Sequence, residues 1–415
     1  MGAARRPAIR GAVGVLALAV SSVFAVGGAS SAGGLTVAPT DSFALVMLGN
    51  GHGHGLSQYG ARGAAIKGLT APQIVAFYYP HTKLVRLDSP RRIRVRLSGG
   101  AKLTVAPAAD LTVTGVSDPL PTTGVRRLRL VPGSGTGLWL QQLASAKGAK
   151  WVTLRTGLPN RAQFHRTGWG TIRRFLPDGT STDYHGFLRA IRTTASGSSG
   201  GLTVVNRLSL DNYTAGVVPR EMPASWQRAA VRAQAIAART YGAYAMAHPQ
   251  SRNYDICDTS WCQVYGGAAH QSGSTLLWSE YQPAATATSN QVLTYNGAAI
   301  FAQFSASNGG WTVAGGQPYL VAKQDPYDNA DSGDPYLNYR KKLTVKSIAG
   351  YFGLAKITQI VVTKRDGNGT WDGRVLAGYV YGTDSSGNAK QVKASGYDFQ
   401  AAFGIGTTWF TLRST

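Results

Sequence analysis

Two hydrophobic rhythms divide the chain. From about residue 84 to residue 205, apolar positions alternate with polar ones in short runs broken by Gly and Pro. In residues 91–97, for example, Arg92, Arg94 and Arg96 interleave with Ile93, Val95 and Leu97. Residues 126–131 and 151–155 read the same way, and a period of two predicts strands. A helical period appears at residues 70–79: Thr70 suits the cap, Pro72 the first turn, and Ile74, Phe77 and Tyr78 share one apolar face. A strand over 202–208 leads into one long helix over 224–247, with Pro223 expected in its first turn. Trp226, Ala230, Ala233 and Ala237 make a single stripe on that helix, and its many Ala and Gly residues let it lie close against a sheet. The remainder reads as strands and loops with a helical patch at 347–352. No internal repeat is visible. The expected class is α+β, with a β-rich majority and one long central helix.

Composition narrows the function classes. The 415 residues are 43% hydrophobic, contain two cysteines and 52 glycines without a period of three, and are only 15% charged. Disulfide miniproteins, coiled coils and collagen are thereby excluded. The charge balance, 42 Lys and Arg against 19 Asp and Glu, gives +23. Arg5, Arg6 and Arg10 precede an apolar stretch at 11–26 and small residues at 27–32, the layout of a secretory signal peptide over 1–32 with Ser30-Ser31-Ala32 as the cleavage site. An uncleaved anchor is the alternative, and no other stretch reaches the ~18 apolar residues of a membrane span. The expectation is a secreted or cell-wall protein with no stable membrane insertion after cleavage. The polyanions it meets there are cell-wall polymers, lipid head groups or acidic glycans. No nucleic-acid-binding motif is present, so a nucleic-acid partner is not expected.

Four segments carry a family resemblance. The first is Val217-Val218-Pro219-Arg220-Glu221-Met222-Pro223-Ala224-Ser225-Trp226, followed by Arg232-Ala233-Gln234-Ala235 and Ala237-Ala238-Arg239-Thr240-Tyr241. The second runs from Asp255-Ile256-Cys257-Asp258 through Cys262-Gln263-Val264-Tyr265. The third is Phe304-Ser305-Ala306-Ser307-Asn308-Gly309-Gly310, then Pro318-Tyr319-Leu320 and Asp325-Pro326-Tyr327-Asp328. The fourth is His52-Gly53-His54-Gly55-Leu56-Ser57-Gln58-Tyr59-Gly60-Ala61 with Phe77-Tyr78-Tyr79-Pro80 behind it. Together they resemble the SpoIID family, sporulation stage II protein D and its relatives, including LytB-type amidase enhancers. The resemblance covers roughly residues 49–84 and 200–415. In the commoner family arrangement the Gly-His segment closes the domain, whereas here it comes first, which looks like a circular permutation. The expected organisation is a signal peptide (1–32), a permuted Gly-His segment packing on the catalytic domain beside Glu221 (33–84), a β-rich insert (85–199) and a SpoIID-like catalytic core (200–415).

The resemblance implies a lytic transglycosylase that cuts peptidoglycan glycan strands and leaves 1,6-anhydro ends, without a cofactor. Ordinary glycosidases use two carboxylates. When the sugar's own 6-hydroxyl attacks the anomeric carbon, one group suffices, first as acid and then as base. Only Glu221 and Glu280 are glutamates, and by resemblance Glu221 occupies the catalytic position. Such an acid needs an apolar site to hold its proton, and the start of a helix, where the sequence puts Glu221, favours the carboxylate instead. Glu280 is expected at the surface.

The glycine loop around His52 and His54 suggests sugar contacts from His52, His54, Ser57 and Gln58, with glycines allowing close approach. Ser305, Ser307 and Asn308 are expected to bind sugar too, with Trp311 as a stacking ring. No carboxylate or third histidine accompanies the His pair at a familiar metal spacing. Cys257 and Cys262, the only cysteines of an exported chain, are expected as a disulfide. Some members of the family bind zinc at this place with added histidines; here Trp261 and Asp255 depart from that pattern, leaving Asp255, His248 and His270 as the conceivable helpers. Gln234 and Arg239 are expected as buried structural hydrogen-bonders. Two other readings remain: a non-catalytic wall-binding or amidase-enhancing protein, and a zinc hydrolase built on the histidine loop.

Overall fold

The computed structural model describes residues 35–36, 41–88, 91–100, 102–135, 137–168, 170–193, 201–271 and 278–414. The expected leader, 1–32, lies outside them, as do the side chains of His270 and Glu280. The chain is a strand-rich α+β protein. Its helices are α1 (Gln58–Ile66), α2 (Ala71–Tyr78), α3 (Leu210–Glu221), α4 (Arg228–Ala247), α5 (Trp278–Ala287), α6 (Val345–Ala349) and α7 (Gly396–Phe403). Among the described residues no helix is long and apolar enough to cross a membrane.

Three large hydrophobic cores and a small cluster of Val218, Val231 and Ala235 organise the described residues. The first lies between a seven-stranded and a six-stranded sheet. The six-stranded sheet pairs Arg92–Leu97 with Leu202–Ser209 in antiparallel register, and the short strand Ile256–Cys257 adds to it in parallel. The alternation read from the sequence is real here: Ile93, Val95 and Leu97 are buried, while the intervening arginines are not. The same core takes in Tyr213 and Val217 of α3 and Ala238 of α4. The described residues between 85 and 193 therefore share their interior with α3, which carries the conspicuous glutamate, and with α4. The expected boundary at 200 does not separate two cores.

A second core belongs to the C-terminal residues and one N-terminal strand. Ser42–Leu48 is the middle strand between Leu337–Thr344 and Phe410–Ser414. Phe43, Leu45 and Met47 pack there with Phe399, Phe403 and Phe410. The third core joins Leu56, Ile74, Tyr78 and Tyr79 to Met222, Ala230, Ala233 and Ala237 of the α3–α4 region and to Leu293 and Tyr319. Residues 42–86 are thus built into the C-terminal half.

Local chemistry explains most boundaries. The Thr70 backbone N–H and hydroxyl both donate to Gln73 Oε1, at 2.9 and 2.8 Å, at the start of α2. Two details differ from expectation. The long helix begins at Arg228, and Pro223 instead opens a turn closed by Trp226 N–H to Pro223 C=O at 3.1 Å. A separate helix, α3, precedes that turn. Its composition, with Gly216, β-branched Thr214 and Val217, and Pro219, is poor for a helix. Tertiary packing supplies what propensity lacks, for Leu210, Tyr213 and Val217 all enter the first core. Arg239 then ties α3 to α4 and α5, donating to Asp211 at 2.6 Å and to the Ala285 carbonyl at 2.8 Å. Gln234 is fully buried as expected, yet neither its amide oxygen nor its nitrogen has a hydrogen-bond partner among the described residues, so its expected bonding role is corrected.

Helix α1 sits so close to the loop around Asp325 that its glycines are obligatory. A Cβ at Gly63 would lie 2.0 Å from the Tyr327 carbonyl oxygen. Gly63→Ala is expected to lower unfolding stability by about 1–3 kcal/mol, read as a drop in the denaturant midpoint at unchanged slope.

Candidate active site

The N-terminal Gly-His segment is stitched into the C-terminal half by backbone pairing. Asn50 and Ser307 exchange hydrogen bonds at 2.8 and 3.1 Å, Gly51 N–H donates to Gly406 C=O, and Val313 N–H to Gly53 C=O. Leu56–Ser57 pairs in parallel with Phe304–Ser305. Two glycines are required by contact: a Cβ at Gly51 would sit 2.5 Å from Ser305 Cβ, and one at Gly55 2.2 Å from the Gln303 carbonyl oxygen, both at positive φ.

Beneath this seam lie two buried carboxylates. Asp325 accepts from Tyr78 Oη–H and Asn308 Nδ2–H, both at 2.7 Å, and from the Tyr327 and Asp328 amides. Asp328 accepts from the Ser57 hydroxyl, from Ser307 Oγ–H at 2.8 Å and from Gly309 N–H at 2.7 Å. Burial, reinforced by the neighbouring Asp325, pushes the Asp328 carboxyl up to about 7. Ser57 also caps α1, accepting from Gly60 N–H at 3.1 Å.

This network aims the first side chain of α1 at the last residue of α3. Gln58 Nε2–H donates to Glu221 Oε2 at 2.9 Å. Glu221 borders a cleft of about 530 Å³ whose walls include Tyr241, Phe301, Phe304 and Gln263, with Trp261 at its rim. Among the described residues it is the only carboxylate lining that cleft. Burial raises the Glu221 carboxyl above its ordinary value, and the Gln58 hydrogen bond partly opposes the shift. The helix dipole acts in the opposite sense to the sequence expectation. Glu221 ends α3, and the negative pole of a helix disfavours a carboxylate.

The expected sugar contacts divide. His52, Gln58 and Ser305 line the cleft. Ser57, Ser307 and Asn308 do not: they are fully buried and engaged with Asp328 and Asp325, so the sequence expectation is corrected to a structural role. The physical reason is that two buried carboxylates need donors, and these side chains supply them. Trp311 is not among the lining residues, and His54 is turned away, its Nδ1–H donating to the Val313 carbonyl at 3.1 Å. His52 Nδ1 accepts the His54 amide at 2.9 Å. Burial, followed by the nearby His54 and Arg374, pushes the His52 imidazole down to about 4, so it is neutral at ordinary pH.

Sequence reading missed Tyr241, Gln263 and Phe301. Gln263 is nearly fully buried, its Oε1 accepts Tyr213 Oη–H at 2.7 Å, and its Nε2 has no partner among the described residues. Both Tyr241 and Gln263 stand inside the family-like segments, next to Thr240 and Cys262.

A disulfide joins Cys257 to Cys262 and holds the turn that carries Trp261, which is 94% exposed. With both sulfurs bonded and Asp255 engaged by Arg94, these residues do not fit a zinc site. Among the described residues no group of three His, Cys, Asp or Glu side chains is placed to hold a metal ion.

Fold and site together define a strand-rich α+β protein with one half-buried glutamate in an aromatic-walled cleft. Residues 198–295 match the family described as SpoIID, Stage II sporulation protein. The chain is 40% identical to the amidase enhancer of Bacillus subtilis over 119 residues, which are 27% of this chain and 15% of that protein. It is 31% identical to Stage II sporulation protein D of the same organism over 178 residues, 37% of this chain and 51% of that protein. The chain therefore spans about half or less of these relatives.

Gln58→Leu is expected to raise the Glu221 carboxyl further, because the lost N–H stabilises the charged form. Side-chain carboxyl NMR titration of the wild type and this variant reads the direction of the shift.

Proposed function

We propose that the protein is an exported peptidoglycan lytic transglycosylase acting from the cell wall, with Glu221 as its single acid/base. The carrying observation is that Glu221 alone among the carboxyl groups of the described residues lines the cleft, with a raised proton affinity. Protonated Glu221 donates to the glycosidic oxygen as the bond to the anomeric carbon breaks. The sugar's 6-hydroxyl then closes on that carbon, and its proton passes to the Glu221 carboxylate, which restores the acid. Gln58 holds one carboxyl oxygen and leaves the other for this exchange. Neutral His52 adds no positive charge that would favour the carboxylate. Trp261 and the rings of Phe301, Phe304 and Tyr241 supply apolar faces for sugar rings. On this reading the N-terminal Gly-His segment completes the site as a permuted part of the domain.

The similarity to the amidase enhancer favours a second reading, a wall-binding protein that acts on another enzyme. Denuded glycan strands separate the two. Wild-type protein is expected to release 1,6-anhydro ends, and Glu221→Gln to lower the rate by about 10²–10⁴. The rate should fall as pH rises through the Glu221 pKa, since the acid form starts the reaction. Binding without cleavage by the wild type would leave the second reading, and cleavage by Glu221→Gln would remove Glu221 from the mechanism.

A further inference from the structure

A second groove lies on the outer face of the seven-stranded sheet, about 610 Å³ in volume and sharing no lining residue with the Glu221 cleft. Its floor follows from strand register. Thr104 stands opposite Arg129 on one side and Phe175 on the other, Arg127 opposite Leu143, and Leu143 opposite Trp151. The alternate residues Leu103, Val105, Leu128 and Leu130 face the core, so this set faces out. Arg127 lies over the Phe175 ring at 3.7 Å, and Arg129 over Trp151 at 3.9 Å. Arg129 Nε–H is further held by Gln141 Oε1 at 2.8 Å. One wall is the 98–100 turn. The buried Arg174 guanidinium fixes it, donating to the Ser98 and Gly99 carbonyls at 2.9 Å each.

The charge on this groove is unbalanced. Lys102, Arg126, Arg127 and Arg129 line it, no carboxylate does, and none of the four forms an ion pair among the described residues. Elsewhere on these two sheets four arginines are matched: Arg94 by Asp255, Arg155 by Asp118, Arg166 by Asp110 and Arg173 by Asp183. Others, such as Arg92, Arg161 and Arg207, form no ion pair among the described residues but are not gathered in this groove. Burial, with Arg126 beside it, lowers the proton affinity of Arg127, and burial alone does so for Arg129, as expected for cations without a counter-charge.

From this geometry we infer that the groove is a binding site for a phosphodiester-linked polyol or sugar polymer, an anionic wall polymer rather than the glycan cut at Glu221. Guanidinium forks pinned on aromatic rings are preset to bind phosphate oxygens in pairs. Four cations in one groove match a ligand whose charge recurs along its length, and the half-buried rings of Trp151 and Phe175, which line the groove, give apolar contact to the carbon backbone between phosphates. The site would retain the protein on the wall independently of catalysis, and it does not rest on the assignment of Glu221.

The test is binding of purified poly(glycerol phosphate) to the full chain, by calorimetry across a salt series. Arg127→Gln/Arg129→Gln is expected to weaken binding about 10-fold or more at low salt. It should also make the slope of log K against log salt shallower by about 1–2. Lys102→Gln/Arg126→Gln, at exposed positions, should weaken binding in the same direction without disturbing the fold, and circular dichroism and melting temperature check both pairs. Unchanged affinity and slope in a folded pair would overturn the site. Equal affinity for single-stranded DNA or polyglutamate of matched charge would overturn the assignment to a wall phosphodiester polymer. Cleavage of soluble denuded glycan, measured in parallel, is expected to be unaffected.

Discussion

Two carboxylates removed from water hold this molecule's site together. Asp325 and Asp328 are fully buried, and a buried carboxylate is costly unless donors surround it. The donors come from distant parts of the chain: Ser57 and Tyr78 from the N-terminal segment, Ser307 and Asn308 from the loop 304–310. Satisfying the two acids therefore fixes the N-terminal segment against the C-terminal half. Ser57 is also the cap of α1, so the same hydroxyl sets where that helix begins, and Gln58, the next residue, is delivered to Glu221.

From that constraint the properties of the glutamate follow. Glu221 ends α3, whose position is set by the Arg239–Asp211 pair and by Tyr213 and Val217 in the core. The negative pole of the helix and the partly dry cleft both raise its proton affinity, and Gln58 moderates the effect. A carboxyl poised in this way can give a proton at the start of a reaction and take one back at its end. The basic groove obeys a different logic: Arg127 and Arg129 are held on aromatic rings yet form no ion pair among the described residues, so their charge is available to an outside ligand.

Much of this was readable from residues alone. The alternation of Arg92, Arg94 and Arg96 with Ile93, Val95 and Leu97 gives a strand with one face buried, and that is its state. Thr70 and Pro72 mark the start of α2 because capping and proline chemistry are local. Helix α3 was not readable, since its Gly, Pro and β-branched residues argue against a helix and only the surrounding core overrides them. Ser57, Ser307 and Asn308 were read as sugar contacts because a polar side chain in a glycine-rich loop can point outward or inward. The sequence holds no local signal for which, and the buried aspartates decide it.

Sequence by itself determined the scarcity of glutamate, the excess of cations, the pairing partners of the two cysteines and the α+β class, because these depend on composition and short-range pattern. Tertiary structure alone decided that Glu221 ends a helix rather than opening one, and that Gln58 is its partner across 163 positions. It alone decided which arginines lack a carboxylate. Each of these depends on groups far apart in the chain meeting where water is excluded, and such proximity leaves no trace in local periodicity.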